Sequence, residues 1–353
     1  MSNPAGTPAR GRIAVVGAGI LGVRISRELA TTVAGEVAPP GGVVLLTRRQ
    51  QRRAQLAASF GDSVRVALEG ERLPADTSVV VVALASDDQP DEVRRHLREG
   101  RHVVATADDP EVVSDLLSLD AEARSRDRTV VVGAAMSPGL SCLLARHGAA
   151  ELDRVDEVHV ARHGAAGPAC ARQRLKALRG SGADWRDGEW VRRPGFSGRE
   201  LCWFPDPVSA KDCYRGALAE PLLLVPAFPG VRRVTARLAA SRRDRALAPF
   251  PVLVPPPTEG GLGAIRVELR GELDGARSSV VLGALDRPAV AASGVAAVTA
   301  LELLTGRPRP GAYGLASIGD PLPLLRELAR RGVRAARFEG AEGSGVAASR
   351  SPS

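Results

Sequence analysis

Gly17, Gly19 and Gly22 stand as G-x-G-x-x-G, directly after the apolar run 12–16 and at the start of a helical stretch from Ile20. That spacing suits a dinucleotide. The first glycine makes a tight turn, the second lets a pyrophosphate approach the backbone, and the third lets the helix pack closely on the strand. Ile20 and Leu21 lie at the helix N-terminus, where free N–H groups and a partial positive charge favour phosphate. The next apolar run, 43–47, ends in Thr47-Arg48-Arg49, with Arg52 and Arg53 one turn on and no carboxylate at that point. A carboxylate there would accept from the ribose 2′-OH of NAD, whereas a hydroxyl followed by guanidiniums suits a 2′-phosphate. NADP(H) is therefore the expected cofactor, with NAD(H) as the alternative.

Hydride transfer also needs a proton donor or acceptor and groups that hold the substrate. Residues 203–215 gather aromatic, acidic, basic and phenolic side chains in what reads as a loop. All but two of the 48 Lys and Arg residues are arginine, and Lys211 is one of the two. Arginine cannot exchange a proton near neutral pH and a lysine in a cleft can, so Lys211 is the leading acid/base candidate. Asp212 and Tyr214 stand beside it, and Lys176 is the internal control. His147 is a second acid/base candidate, with His159 and His163 behind it. Cys142 falls near the expected nicotinamide end, but no base is visible to activate its thiol. Residues 168–200 hold eight Lys or Arg against four Asp or Glu, a basic stretch able to receive an acidic substrate. The four cysteines form no C-x-x-C pair and have no histidine at ligand spacing, so no metal site is expected. Reduced thiols in a cytoplasm are the expectation.

The elements that carry these residues alternate strand and helix through the first half. Runs at 12–16, 43–47, 63–67, 78–85, 102–106 and 129–134 read as strands, and the β-branched run 78–85 as one buried on both faces. Such alternation predicts a Rossmann-type doubly wound parallel sheet over 12–150. Ligands of such sheets bind outside the carboxyl ends of the strands. Ala83, Leu84 and Ala85, then Thr106, then Ser137, Pro138 and Gly139 should accordingly line the cofactor. Asp109 reads as a helix N-cap, with Pro110 at the first helical position.

The second half reads as an α+β substrate and dimerisation domain over 151–287. Strands are expected at 155–162, 231–239, 264–270 and 278–285, a helix at 168–179, and a loop-rich stretch around Trp185, Trp190 and Trp203. Residues 249–257 are proline-rich and read as loop or edge. Helices over 288–339 are expected to pack back on the first domain, with a loose arm at 1–11 and a loose tail at 340–353. The apolar stretch 222–225, with the exposed face of a second sheet, predicts a homodimer.

The glycine turn, the run of βα units and the Pro138-Gly139-Leu140-Ser141 turn after the sixth strand together resemble the saccharopine dehydrogenase/reductase-like oxidoreductases. The closing helices, before Arg331-Gly332-Val333, are also similar to that family's chain ending. The resemblance implies NAD(P)-linked oxidation or reduction at a carbon–nitrogen bond of an amino-acid-like compound. Sugar oxidoreductases of the Gfo/Idh/MocA type share the two-domain plan, but carry Glu-Lys-Pro where this chain has Ala107-Asp108-Asp109-Pro110. A dinucleotide-binding redox sensor and a non-redox enzyme that uses a bound nicotinamide internally remain as alternatives.

Net charge is +8 and mean hydropathy −0.04. The charge is dispersed, aromatics are 3%, and no zinc-finger or RNP pattern is present, so no nucleic-acid partner is expected. No run approaches the ~20 apolar residues of a membrane helix, and residues 1–10 have no apolar h-region, so a secretory signal is not expected.

Overall fold

The computed structural model describes residues 11–31, 38–241, 244 and 260–338. The expected arm (but for Gly11), the tail and the proline-rich stretch 249–257 lie outside the described residues.

The first half builds β1 (Arg12–Val16), α1 (Ile20–Ala30), β2 (Val43–Thr47), α2 (Gln50–Phe60), β3 (Arg65–Leu68) and β4 (Thr77–Val82). It continues with α3 (Gln89–Arg98), β5 (His102–Ala105), α4 (Pro110–Leu117), α5 (Asp120–Ser125), β6 (Thr129–Val132) and α6 (Leu140–Ala149). These strands form an all-parallel sheet in the order β6-β5-β4-β1-β2-β3, the doubly wound Rossmann-type arrangement. Valine-rich β4 and β6 are buried because helices cover both faces. Helix α1 buries Gly22, Ile25, Ser26 and Leu29, one stripe at helical spacing, against the sheet.

The second half forms a mixed sheet in the order β10-β11-β12-β7-β13-β14-β16. Its strands are β7 (Arg154–His163), β10 (Glu200–Trp203), β11 (Ala210–Tyr214), β12 (Arg233–Ala239), β13 (Gly263–Leu273), β14 (Ala276–Asp286) and β16 (Arg334–Arg337). A hairpin of β8 (Ser181–Arg186) and β9 (Glu189–Pro194) attaches to β12. Helix α7 (Pro168–Arg179) follows β7 and the short α8 (Glu220–Leu224) precedes β12. Among the described residues only β12 and β7 pair in parallel on this sheet.

The stretch read as loop-rich is therefore mostly strand, and residues 210–214, expected in a loop, are β11. The apolar stretch 222–225 is not a free surface. Leu223 and Leu224 are buried, with Leu223 packed close to Gly133 and Gly314. The sheet's inner face packs Val160, Val267 and Leu269 towards α6. Its open face is charged rather than apolar: Glu268 accepts from Arg266 and Arg270, and His159 meets Glu157.

The closing segment returns to both sheets. Helix α9 (Pro288–Thr305) packs on α1, β4 and β5, and α10 (Leu322–Arg330) packs on α9. By length and composition α9 could cross a membrane, but 78% of its apolar window is buried inside the fold. Between these helices, β15 (Gly311–Gly314) pairs in parallel with β6 and becomes the seventh strand of the first sheet. Then β16 pairs with β14 on the second sheet. Neither strand was visible in the sequence. Arg331 ties α10 to the first domain by donating to Glu28 at 2.7 Å and to Glu327 at 2.9 Å.

Helix α1 lies tight against the turn after β1 at Gly22, where a Cβ would lie 1.7 Å from the Gly17 carbonyl oxygen. Gly22→Ala should therefore push α1 off the turn and cost about 1–3 kcal/mol. Urea unfolding should show the midpoint fall, and an unchanged midpoint would mean that the turn tolerates the displacement.

Candidate functional site

A cleft of about 630 Å³ lies between the two domains, at the carboxyl ends of the first sheet's strands. Gly19, Ile20 and Leu21 line it after β1, Ala83, Leu84 and Ala85 after β4, Thr106 and Asp108 after β5, and Ser137 after β6. The second domain supplies the opposite wall from the end of β7 and from α7.

The glycine turn fits a pyrophosphate. Gly17 has φ +107°, and a Cβ there would meet the Ala83 carbonyl oxygen at 2.6 Å. Around the Cβ direction of Gly19, by contrast, nothing among the described residues lies within 4 Å, so backbone and ligand can approach. Helix α1 has no side-chain cap and no acidic residue in its first turn, which leaves its N–H groups and partial positive charge directed at the cleft mouth.

At the inner end, charged groups from both domains converge. Arg162, at the end of β7, donates to the Ser137 carbonyl at 2.6 Å, and its guanidinium lies 3.7 Å from the Asp108 carboxylate. The Ser137 hydroxyl donates to Glu220, a carboxylate only 1% exposed whose other oxygen has no partner among the described residues. Ser86 donates to Asp108 at 3.1 Å. Burial pushes the Asp108 pKa up. Arg162 and the Ser86 hydrogen bond oppose the shift, and Glu220 and Asp109 add to it. Burial works against the charge of Arg162, but Glu220 and Asp108 outweigh it and raise its pKa. Cys170, also on the wall, is held as a thiol by burial and by Asp108. Cys142 is fully buried and its pKa is pushed up to about 12.

Asp109 caps α4 as expected, one carboxylate oxygen accepting from the Glu111 N–H at 3.0 Å. Its other oxygen accepts from Gln173 at 2.9 Å and from Lys176 at 2.8 Å, both on α7. One side chain thus closes a helix and latches the second domain over the first.

Thr47, Arg48 and Arg49 sit at the end of β2 and do not line the cleft. Thr47 is buried, and Arg48 donates to Glu69 at 2.8 Å, with Asp88 at 3.7 Å. The structure thus brings to β2 a carboxylate that its own sequence lacks, from the loop after β3. Pro138 and Gly139, expected to line the cofactor, do not line the cleft; they close the turn behind Ala135, whose N–H donates to the Pro138 carbonyl at 3.0 Å. At Gly139, φ is +126° and a Cβ would meet the Ala135 carbonyl oxygen at 2.0 Å. His147 is near the C-terminal end of α6, whereas the cleft is at its N-terminal end.

Lys211, Asp212 and Tyr214 lie on β11, outside the cleft lining. Lys211 is exposed, Asp212 pairs with Arg199 at 2.9 Å, and Tyr214 is buried edge-on to Phe196. Lys211 bears on the cleft through its charge alone. Burial lowers the pKa of His163, and Lys211 and Arg174 lower it further. Of the two lysines, the cleft takes Lys176. Sequence reasoning named the loop that holds Asp108 without giving it a role. It missed Arg162, Glu220 and Glu69, whose partners are remote in sequence. Among the described residues no cluster of His, Cys, Asp and Glu could hold a metal.

No protein-family model matches the sequence. Comparison with curated proteins likewise finds no match. The fold is similar to that of apo saccharopine dehydrogenase (L-Glu forming) from Saccharomyces cerevisiae, with a TM-score of 0.66 and 14% identity over 93% of this chain and 100% of that one. Looser likenesses are to C. glutamicum DAP dehydrogenase in complex with DAP (TM-score 0.49, 16% identity, 92% and 99% covered) and to GenD2 from gentamicin A biosynthesis in complex with NAD (0.45, 15%, 96% and 100%). At 14% identity the property shared with the yeast protein is the fold: a Rossmann-type domain joined to a mixed-sheet domain.

Proposed function

We propose that the chain is an NADP(H)-dependent oxidoreductase that transfers hydride at a carbon–nitrogen bond of an amino-acid-like or imine substrate. The observation that carries this reading is a graded cleft, with an uncapped helix N-terminus at its mouth and an Asp108–Arg162 pair at its inner end. Residues 17–22 would hold the pyrophosphate, and Arg48 and Arg49 the 2′-phosphate. When bound, the dinucleotide supplies or accepts the hydride. Asp108 gives or takes the proton at the substrate nitrogen, since its carboxyl faces the cleft and burial favours its neutral form. Arg162 orients Asp108 and offers a cation to a substrate carboxylate. The fold shared with the yeast saccharopine dehydrogenase supports the reaction class.

Homodimerisation belongs to the same proposal. Its support is edge strand β10, which leaves Leu201 and Trp203 58% and 59% exposed. Light scattering at micromolar concentration should give twice the chain mass, and a monomer mass would refute it. The four free cysteines support a reducing, cytoplasmic compartment.

Asp108→Asn should lower turnover by roughly a hundredfold to ten-thousandfold while cofactor still binds. In the reductive direction the protonated carboxyl is the competent form, so wild-type turnover should fall as pH rises through its raised pKa. That limb should vanish in the variant. Stability follows the same sign. The folded state binds this proton more tightly than the unfolded chain, so the contribution is full below the ordinary aspartate range and is lost as pH rises through the raised value. A variant with wild-type turnover and an unchanged pH profile would assign the proton to His163 or to water.

Arg48→Ala combined with Arg49→Ala should weaken NADPH roughly tenfold to a hundredfold and leave NADH nearly unchanged. Fluorescence titration of both cofactors tests this. A wild-type preference for NADH would instead assign Glu69 to the ribose hydroxyls.

A further inference from the structure

Helix α7 carries four basic side chains, Arg172, Arg174, Lys176 and Arg179, and no acidic one. Two are matched by carboxylates: Arg174 pairs with Asp244 at 3.0 Å, and Lys176 with Asp109 at 2.8 Å. Arg172 and Arg179 have no acidic partner among the described residues, although both line the cleft. They are seven positions apart, so they lie on one face of α7, about 10 Å apart along its axis.

Exposure indicates which part of a ligand they meet. The inner end is enclosed, with Arg162 13% and Asp108 20% exposed. Arg172, Arg179 and Gly19 are all exposed and all line the cleft, so they belong to its mouth. On one side of that mouth the uncapped N-terminus of α1 offers N–H groups, and the other carries the two guanidiniums. A doubly charged ligand group between them would meet positive potential from both walls. The Asp109 latch to Gln173 and Lys176 holds α7 against the first domain.

We infer that Arg172 and Arg179 are pyrophosphate-binding residues, which complete from the second domain the dinucleotide site begun by the glycine turn. The inference rests on the dinucleotide reading above and extends it: the phosphates are clasped by both domains, not by the first alone. The acidic end of a substrate is the competing ligand for the same guanidiniums, and the test separates the two.

The probe is ADP-ribose, which has the pyrophosphate and lacks the nicotinamide, titrated calorimetrically into the full chain. Arg172→Ala with Arg179→Ala should raise its Kd roughly tenfold to a hundredfold, the loss of charge-assisted contacts. The double lysine variant should keep most of the affinity, because the charge remains. The alanine variant should also show a shallower dependence of Kd on salt. Both side chains are exposed, so the melting temperature should stay near wild type and vouch for the fold. At saturating cofactor, KM for the substrate should be unchanged. Unaltered ADP-ribose affinity in the alanine variant would overturn the inference, and a raised substrate KM beside it would assign the arginines to an acidic substrate. If the wild-type chain itself bound no ADP-ribose, the dinucleotide reading would fail first, an outcome distinct from equal binding by wild type and variant.

Discussion

One guanidinium sets the geometry on which the cleft depends. Arg162 leaves the second sheet at the end of β7 and bonds to the Ser137 carbonyl at the end of the first sheet's β6. Around it gather the Asp108 carboxylate, from the end of β5, and the field of Glu220, from α8. A buried cation stripped of its partners costs several kcal/mol. The two domains therefore cannot part at this point without exposing or orphaning that charge, and the inner end of the cleft keeps its depth. The same cluster explains why Ser137 is a poor candidate for a free donor. Its hydroxyl already donates to Glu220, and its carbonyl accepts from Arg162.

Towards the mouth the constraint changes character. Asp109 holds α7 through hydrogen bonds from two flexible side chains, and Lys176 is 55% exposed. Water competes for those contacts, so this latch is weaker than the buried cluster. The cleft thus has a firm inner end and a looser rim. Such a division suits a site that must admit a long ligand past the rim and hold reacting groups still at its base.

How much of this could be read in the sequence depended on the range of the contacts. The glycine turn was legible because each glycine answers a constraint set within a few residues: a positive φ at Gly17, open space at Gly19, helix–strand contact at Gly22. Asp109 was legible as a cap for the same reason, although its second role was not. Strands β8 to β11 were hidden because their outward residues are mostly arginines, glutamates and tryptophans; β9 is exposed along almost its whole length and shows no apolar alternation. The inner end of the cleft was hidden because its pairs form only after folding, with Glu220 83 positions and Arg162 25 positions along the chain from Ser137. The rarity of lysine did single out two positions. Only the fold could show that Lys176, not Lys211, reaches the cleft.

The route of the closing segment has a consequence for how the chain matures on the ribosome. The first sheet receives its edge strand β15 from residues 311–314, and the second its edge strand β16 from residues 334–337. Helix α9, which covers α1 and the central strands of the first sheet, is also made after most of the second sheet. Neither domain can finish folding when its own leading stretch emerges. Residues 12–150 must wait, with the α1 side of their sheet uncovered, until synthesis reaches Thr305. The two halves then complete almost together, so the nascent chain is bound to pass through a long interval with apolar strand surface open to chaperones.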